Sequence, residues 1–211
     1  MENKILDDLI RRLPVLEPCR EDIAAAAAAW QECFEGGGKL LICGNGGSEA
    51  DSQHIVGELM KEFTARRSFR DGTPERLREM FPEDRLDLRL QAALPAMSLG
   101  LNQVLTTAYA NDADPEMIFA QELYGLGKAG DVLVALTTSG NSGNVLNAVK
   151  VARAMGVRVV GICGGSGGKL KGLCDVCVLL PEKETYLVQE LTLPVYHALC
   201  RMVEAHFWPQ G

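Results

Sequence analysis

His54 and Glu58 are the residues whose types and spacing suggest chemistry most directly. They are four positions apart, so an α-helix places both side chains on one face, about 40° apart around its axis. An imidazole and a carboxylate on one face can hold a metal ion or divide proton transfer between them. Helical pairs of this kind are more often simple hydrogen-bonded pairs, so the pattern alone leaves both interpretations open.

A glycine turn precedes this helix. Residues 39–43 predict a short buried strand, residues 44–47 (Gly-Asn-Gly-Gly) predict a tight turn, and Ser48 predicts the N-cap of the helix. The N-terminus of a helix presents unpaired N–H groups and binds anions. A strand, a glycine turn and a helix in this order are therefore typical of half a nucleotide- or sugar-phosphate-binding unit.

A second candidate anion site is the sequence Thr-Thr-Ser-Gly-Asn-Ser at residues 137–142, directly after a predicted strand. Its four hydroxyls and the following helix N-terminus can hold a phosphate without lysine, although the same residue types are common in ordinary turns. The loop lacks the Walker lysine and the spaced glycines of a dinucleotide fingerprint, which argues against ATP and NAD.

The elements around these turns alternate between strand and helix. This order predicts an α/β fold, a three-layer doubly wound sandwich with a five-stranded parallel sheet, whose ligands bind at the carboxyl ends of the strands. The predicted strands are 39–43, 94–99, 131–136, 157–163 and 176–180, and the last helix is 184–206.

Two segments stand apart from this alternation within a predicted single domain, 1–211. Residues 1–35 predict an N-terminal helical arm, whose alanine run favours close helix packing within the chain or between subunits. Residues 64–94 predict an insertion in which seven arginines balance six acids. We expect either a solvated surface excursion or a lid whose Arg66, Arg67 or Arg70 reaches a substrate or a neighbouring subunit.

Composition limits the function classes. A net charge of −7 argues against nucleic-acid binding by bulk electrostatics but not against a local anion pocket. The N-terminal residues lack the apolar stretch of a secretion signal, and no apolar run is long enough to span a membrane. Seven cysteines, an odd number, predict reduced thiols. We therefore expect a cytoplasmic protein without membrane contacts.

Taken together, these motifs resemble the SIS (sugar isomerase) domain, and within it the bacterial phosphoheptose isomerases. The resemblance covers nearly the whole chain except residues 64–94. It rests on an ordered set of motifs: CGNGGS at 43–48, His54 with Glu58, Asn111-Asp112, TTSGNS at 137–142, GGKL at 167–170, and Gln189-Glu190 followed by His197.

The resemblance implies an aldose–ketose isomerase of a sugar phosphate, a zinc cofactor, and a homotetramer whose subunits share active sites. It implies that Glu58 and His197 transfer protons and that His54, Glu58, Gln189 and His197 bind zinc. The implied substrate-binding residues are Asn45, Gly46, Gly47, Ser48, Glu58, Asn111, Asp112, Thr137, Thr138, Ser139, Ser142 and Gln189.

Some residues depart from the family pattern. Glu62 stands where an arginine is frequent, and Thr192 stands where a histidine is frequent. Gln189 and His197 are also eight residues apart, a distance of about 12 Å along a straight helix. Both can bind the same metal ion only if the helix bends or if a neighbouring subunit supplies one of the ligands. Two alternatives follow: a non-catalytic sugar-phosphate-binding regulator of the type that associates with the replication initiator, or an isomerase of another sugar phosphate.

Overall fold

The computed structural model describes residues 2–209. Its centre is a sheet of five parallel strands in the order β2-β1-β3-β4-β5. The strands are β1 (Leu40–Cys43), β2 (Ala96–Ser98), β3 (Val132–Leu136), β4 (Arg158–Gly164) and β5 (Val176–Leu180). This arrangement confirms the predicted α/β fold class.

This part of the chain also contains eight α-helices. They are α1 (Glu2–Arg12), α2 (Arg20–Glu35), α3 (Gly47–Met60), α4 (Thr73–Met80), α5 (Gln103–Asp112), α6 (Ile118–Leu126), α7 (Gly143–Ala154) and α8 (Thr185–Phe207). None of the described helices is both long and apolar enough to cross a bilayer.

Alternate residues of each central strand face opposite layers of the sandwich. Ile42 and Val134 belong to the core formed with α1, α2, α3 and α8, whereas Leu41 and Ala135 belong to the core formed with α6 and α7. Because both faces of the sheet are covered, β1 and β3 are apolar along their whole length.

The order of the strands places a switch point between β1 and β3. The helix after β1 packs on one face of the sheet and the helix after β3 packs on the other. The turns that follow these two strands therefore diverge and leave a crevice at their carboxyl ends, where doubly wound proteins bind ligands. Both predicted anion-binding turns lie here.

The N-terminal helices pack on the chain's own core. Ala26, Ala27 and Ala29 of α2 are buried, and α2 contacts both α8 and β5. Small alanine side chains allow this close approach, which supports the interpretation of packing within the chain. The division into an arm of residues 1–35, an insertion of residues 64–94 and one domain stays a prediction.

The segment 64–94 lies mostly on the surface and contains α4, which has no buried residue. Three of its residues are buried: Arg67, Ala92 and Leu94. The Arg67 side chain is 0% exposed and forms an ion pair with Glu204 of α8. The hypothesis that Arg67 reaches a substrate is therefore wrong, since its guanidinium is held in the core. Arg70 instead lies over the ring of Phe207.

Candidate active site

The site is built by α3 and α8, which lie side by side and run in the same direction. Three pairs of residues, each with one member on or just after α3 and the other on α8, show the alignment: Gly47 with Gln189, His54 with Tyr196, and Thr64 with Glu204. The two helices therefore lie next to each other from the turn after β1, past His54 and Glu58, to the end of α3.

His54, Glu58 and His197 form one cluster. His54 Nε2 is 3.0 Å from Glu58 Oε1, and His197 Nε2 is 3.5 Å from His54 Nε2. One ligand atom from each residue lies within 4.8 Å of the others. The structure therefore brings together residues from two helices that are far apart in the sequence. Their catalytic and metal-binding roles stay predictions.

The donor set of this cluster suits a divalent cation. Two imidazole nitrogens and a carboxylate oxygen are the ligand types that zinc prefers, and catalytic zinc sites use three protein ligands with a further open position. Within residues 2–209, this is the one group of three or more histidine, cysteine or acidic side chains with such convergence. The residues present therefore fit the predicted metal.

The charges of the cluster suit proton transfer. Burial raises the pKa of Glu58, but hydrogen bonds from Lys61 and His54 outweigh this effect, so the pKa lies below its ordinary value. Burial lowers the pKa of His197, and the neighbouring His54 lowers it further. Near neutral pH the pair therefore consists of an ionised carboxylate and an uncharged imidazole, a base and a group that can exchange protons.

Gln189 lies at the opposite end of the aligned helices. Its side-chain amide packs so closely on Gly47 that any Cβ there would collide with it. Although α8 contains Pro194, it continues as one helix from Thr185 to Phe207. The structure thus places Gln189 beside the glycine turn, about 12 Å along the helix from His197. Its role as a metal ligand stays a prediction, as does its contact with substrate.

The glycine turn differs from its prediction by one residue. The helix α3 begins at Gly47, and Gly46 is its N-cap, so the expectation of a Ser48 N-cap is wrong. Gly46 has φ +58° and ψ −118°, a conformation that side chains disfavour. Ser48 lies buried in the first turn of the helix.

The hydroxyl loop after β3 is a compact turn. Thr137 Oγ1 and Ser142 Oγ are 2.9 Å apart, and Ser142 is the N-cap of α7 without a side-chain bond to that helix. Gly140 has φ +67°. Its carbonyl oxygen accepts a hydrogen bond from the backbone N–H of Leu170, so the 167–170 motif packs against the loop and helps to hold its shape. Thr138 and Ser139 complete the loop, Ser139 being exposed.

A pair of asparagines joins the two turns across the crevice. Asn45 and Asn144 exchange two hydrogen bonds through their side-chain amides, each 2.9 Å long. Sequence reasoning missed Asn144, because nothing in the chain order indicates that the start of α7 faces the turn after β1. The strand order supplies that information.

Asn111 and Asp112 occupy the exposed C-terminal end of α5. Asn111 Nδ2 donates to Asp112 Oδ1 over 2.8 Å. Their contact with a sugar phosphate stays a prediction.

The two residues that depart from the family pattern both form hydrogen bonds within the chain. Thr192 is buried and donates to the Val188 carbonyl, and Glu62 accepts from the Arg67 backbone N–H.

Sequence reasoning also missed Tyr196 and Asp51. Tyr196 is fully buried, and its hydroxyl lies 2.8 Å from His54 Nδ1. Burial raises the pKa of Asp51, and its interaction with the same hydroxyl opposes that rise. A signal was present, since Asp51 and His54 are three positions apart on one helix and Tyr196 adjoins His197, but only the parallel alignment of α3 and α8 joins them.

Comparison with known proteins gives a consistent result. Residues 7–73 and 88–164 match the SIS domain family. The phosphoheptose isomerase of Rhodospirillum rubrum is 39% identical over 189 residues, which cover 90% of this chain and 88% of that protein.

Solved structures agree with the sequence relatives. The phosphoheptose isomerase of Neisseria gonorrhoeae superposes with a TM-score of 0.75 at 30% identity, covering 94% of each chain. The enzyme of the same name from Francisella tularensis gives a TM-score of 0.75 at 29% identity and covers 95% of each chain. The structural likeness therefore spans nearly the whole chain.

Proposed function

This chain belongs to the SIS-domain family of phosphoheptose isomerases, and we propose that it interconverts sedoheptulose 7-phosphate and D-glycero-D-manno-heptose 7-phosphate. The observation that carries the proposal is the convergence of His54, Glu58 and His197 from two helices. One of them, α3, begins at the turn after β1, and the other, α8, passes that turn at Gln189. The reaction moves a proton between C1 and C2 of the open-chain sugar through a cis-enediol, and this needs a base and a group that exchanges protons with the oxygens.

Phosphate binding orients the substrate. In this proposal, the hydroxyls of residues 137–142 and the N-terminus of α7 hold the phosphate. Asn45, Gly46, Gly47, Ser48 and Gln189 line the crevice beside it, and Asn111 and Asp112 complete the binding set. A sugar fixed at one end has less freedom at the other, so phosphate binding energy is converted into orientation of the reacting carbons.

Proton transfer is assigned to Glu58 and His197. The Glu58 carboxylate takes the proton from one carbon and returns it to the other, while the His197 imidazole exchanges protons with the two oxygens. The lowered pKa values of both groups support these roles, because the carboxylate is ionised and the imidazole uncharged near neutral pH.

His54, Glu58 and His197 would hold a zinc ion. Because Gln189 lies about 12 Å along the unbroken α8 from His197, the glutamine ligand that the family resemblance implies would come from a neighbouring subunit. A bound divalent cation acts as a Lewis acid toward the sugar oxygens. The donor types and their convergence support this assignment.

We also propose that the chain acts in the cytoplasm as a homotetramer with shared active sites. Large apolar side chains are exposed on α5 and α6, including Val104 at 78% and Tyr124 at 68%. Contiguous apolar surface mostly marks protein interfaces, so these side chains support the proposal of assembly.

The test is incubation of the purified protein with sedoheptulose 7-phosphate and a panel of other ketose phosphates, followed by analysis of the sugars. We expect conversion of sedoheptulose 7-phosphate. Preferred conversion of another ketose phosphate would assign a different substrate to the same centre. No conversion across the panel by zinc-loaded protein would contradict the enzyme assignment and favour the regulatory alternative.

A further inference from the structure

Tyr196 is placed between a predicted metal ligand and a carboxylate. Its ring is fully buried, its hydroxyl lies 2.8 Å from His54 Nδ1, and it hydrogen-bonds to Asp51. The rings of His54 and Tyr196 meet edge to face, with centroids 5.4 Å apart. Nδ1 is the imidazole nitrogen opposite the one that faces Glu58 and His197.

In the metal-free protein the Glu58 carboxylate, 3.0 Å from His54 Nε2, can accept a proton from that nitrogen. Once a metal ion binds Nε2, the single proton of the neutral ring is on Nδ1, and counting protons then fixes the direction of the hydrogen bonds to Tyr196 and Asp51. A tyrosine hydroxyl has one proton to donate and can accept in return. An ionised Asp51 carboxylate can only accept, so it takes the hydroxyl proton. The Tyr196 oxygen then accepts from Nδ1–H of His54. This assignment leaves the Nε2 lone pair of His54 directed into the cluster.

We propose that Asp51 and Tyr196 are positioning residues that keep the proton of His54 on Nδ1 and thereby present Nε2 to the metal. The inference rests on the metal site of the proposed function and deepens it. Metal-binding histidines usually donate their second N–H to a carboxylate, a carbonyl or water, and this outer contact raises the basicity of the ligand nitrogen. In this chain a buried tyrosine relays the contact to the carboxylate.

The opposite direction has a distinct consequence. If Tyr196 donated to Nδ1, an uncharged His54 would carry its proton on Nε2, where it would block the metal. Asp51 would then lose the donor that satisfies it. The two arrangements therefore differ in how Asp51 affects metal binding. Asp51 contacts Tyr196 and not His54, so it can influence the protonation of His54 only through the tyrosine hydroxyl.

Zinc affinity separates the two arrangements. The full-length metal-free protein is titrated with zinc in competition with a chromophoric chelator, as wild type and as the Tyr196→Phe, Asp51→Ala and Tyr186→Phe variants. Loss of an outer contact typically weakens metal binding about 10- to 100-fold, and we expect this for Tyr196→Phe and Asp51→Ala. Tyr186 lies on the same helix but is 61% exposed, so Tyr186→Phe controls for removal of a hydroxyl and should bind as wild type.

A spectroscopic readout excludes a purely structural effect. The chain has three histidines, so long-range ¹H–¹⁵N spectra can be assigned with single His→Gln variants. In the zinc-loaded wild type, we expect His54 to carry its proton on Nδ1. Near-ultraviolet circular dichroism establishes that each variant is folded, and Asp51→Ala decides the question if Tyr196→Phe does not fold.

The outcomes separate this inference from the function. Wild-type zinc affinity in folded Tyr196→Phe or Asp51→Ala, or an unprotonated Nδ1 in the zinc-loaded wild type, would overturn the inference and leave the isomerase assignment standing. A wild-type protein that binds no zinc would contradict the metal site itself, and the inference would fall with it.

Discussion

Arg67 and Glu204 form a buried ion pair that ties the segment after α3 to the last helix. Arg67 Nε lies 2.8 Å from Glu204 Oε1, and the two side chains are 0% and 1% exposed. The same guanidinium donates to the carbonyl oxygens of Leu59 and Glu58, the final turns of α3. One cation therefore fixes the end of the helix that carries His54 and Glu58 against the helix that carries His197.

Removing the Glu204 charge should strongly destabilise the fold. Its carboxylate also accepts from the backbone N–H groups of Phe63, Thr64 and Ala65. Glu204→Gln leaves a buried arginine without its counter-charge, which typically costs about 3–5 kcal/mol of unfolding free energy. Urea unfolding at neutral pH measures the loss.

The matched control is the exposed ion pair of Arg158 and Glu32. Arg158→Gln should cost at most about 1 kcal/mol, because solvent screens exposed pairs. An equal and small cost for Glu204→Gln and Arg158→Gln would show that the buried pair does not hold the two helices together.

Gly47 and Gly57 lie on the same helix but should respond differently to alanine. A Cβ at Gly47 would collide with the Gln189 amide, whereas a Cβ at Gly57 meets nothing within 4 Å. Gly47→Ala should displace Gln189 from the crevice and lower kcat/KM by up to about 10²-fold, the scale of a misplaced active-site group. Thermal unfolding should change little, because the end of a glutamine side chain can move.

Gly57→Ala is the control for the helix itself. It should raise the unfolding free energy by about 0.5–1 kcal/mol, since alanine is the better helix former, and leave kcat/KM unchanged. Wild-type kinetics in Gly47→Ala would contradict the placement of Gln189 in the substrate site.

The contacts of His206 should make stability depend on pH. Its two ring nitrogens face Glu35 and Glu2 at 2.7 and 3.0 Å, joining α8 to α2 and α1. The hydrogen bond to Glu35 raises the pKa of His206, burial opposes this, and the bond to Glu2 raises it further. A raised folded-state pKa stabilises the fold below the ordinary histidine value of about 6.5, and the gain disappears as pH rises through the folded-state pKa.

Urea unfolding of wild type and His206→Gln between about pH 5 and pH 9 measures this dependence. The advantage of the wild type should be largest at the acidic end, up to about 1 kcal/mol for such partly exposed pairs, and should shrink toward the alkaline end. An advantage that grows with pH would contradict a charged His206 at this junction.

Much of the fold was accessible from local patterns. The apolar runs predicted β1 and β3, and the four-residue spacing of His54 and Glu58 placed both on one face of α3, as the 3.0 Å contact confirms. The family prediction is also confirmed, because it rests on an ordered set of motifs along the chain.

Contacts between distant elements could not be predicted in this way. The burial of Arg67, the pairing of Asn45 with Asn144 and the contact of Tyr196 with His54 depend on strand order and on the parallel alignment of α3 and α8. Arginine is rarely buried without a partner, and its partner Glu204 lies 137 positions away. Spacing along a single helix carries no information about such pairs.

Turnover of sedoheptulose 7-phosphate by Glu58→Gln and His197→Ala, assayed with saturating zinc, tests the central claim most directly. One acid–base group typically contributes about 10²- to 10⁴-fold in rate, so each folded variant should lose kcat by that factor. Glu79→Gln on the exposed helix α4 should turn over as wild type. A folded Glu58→Gln or His197→Ala with near-normal kcat would contradict the account that this cluster is the isomerase centre.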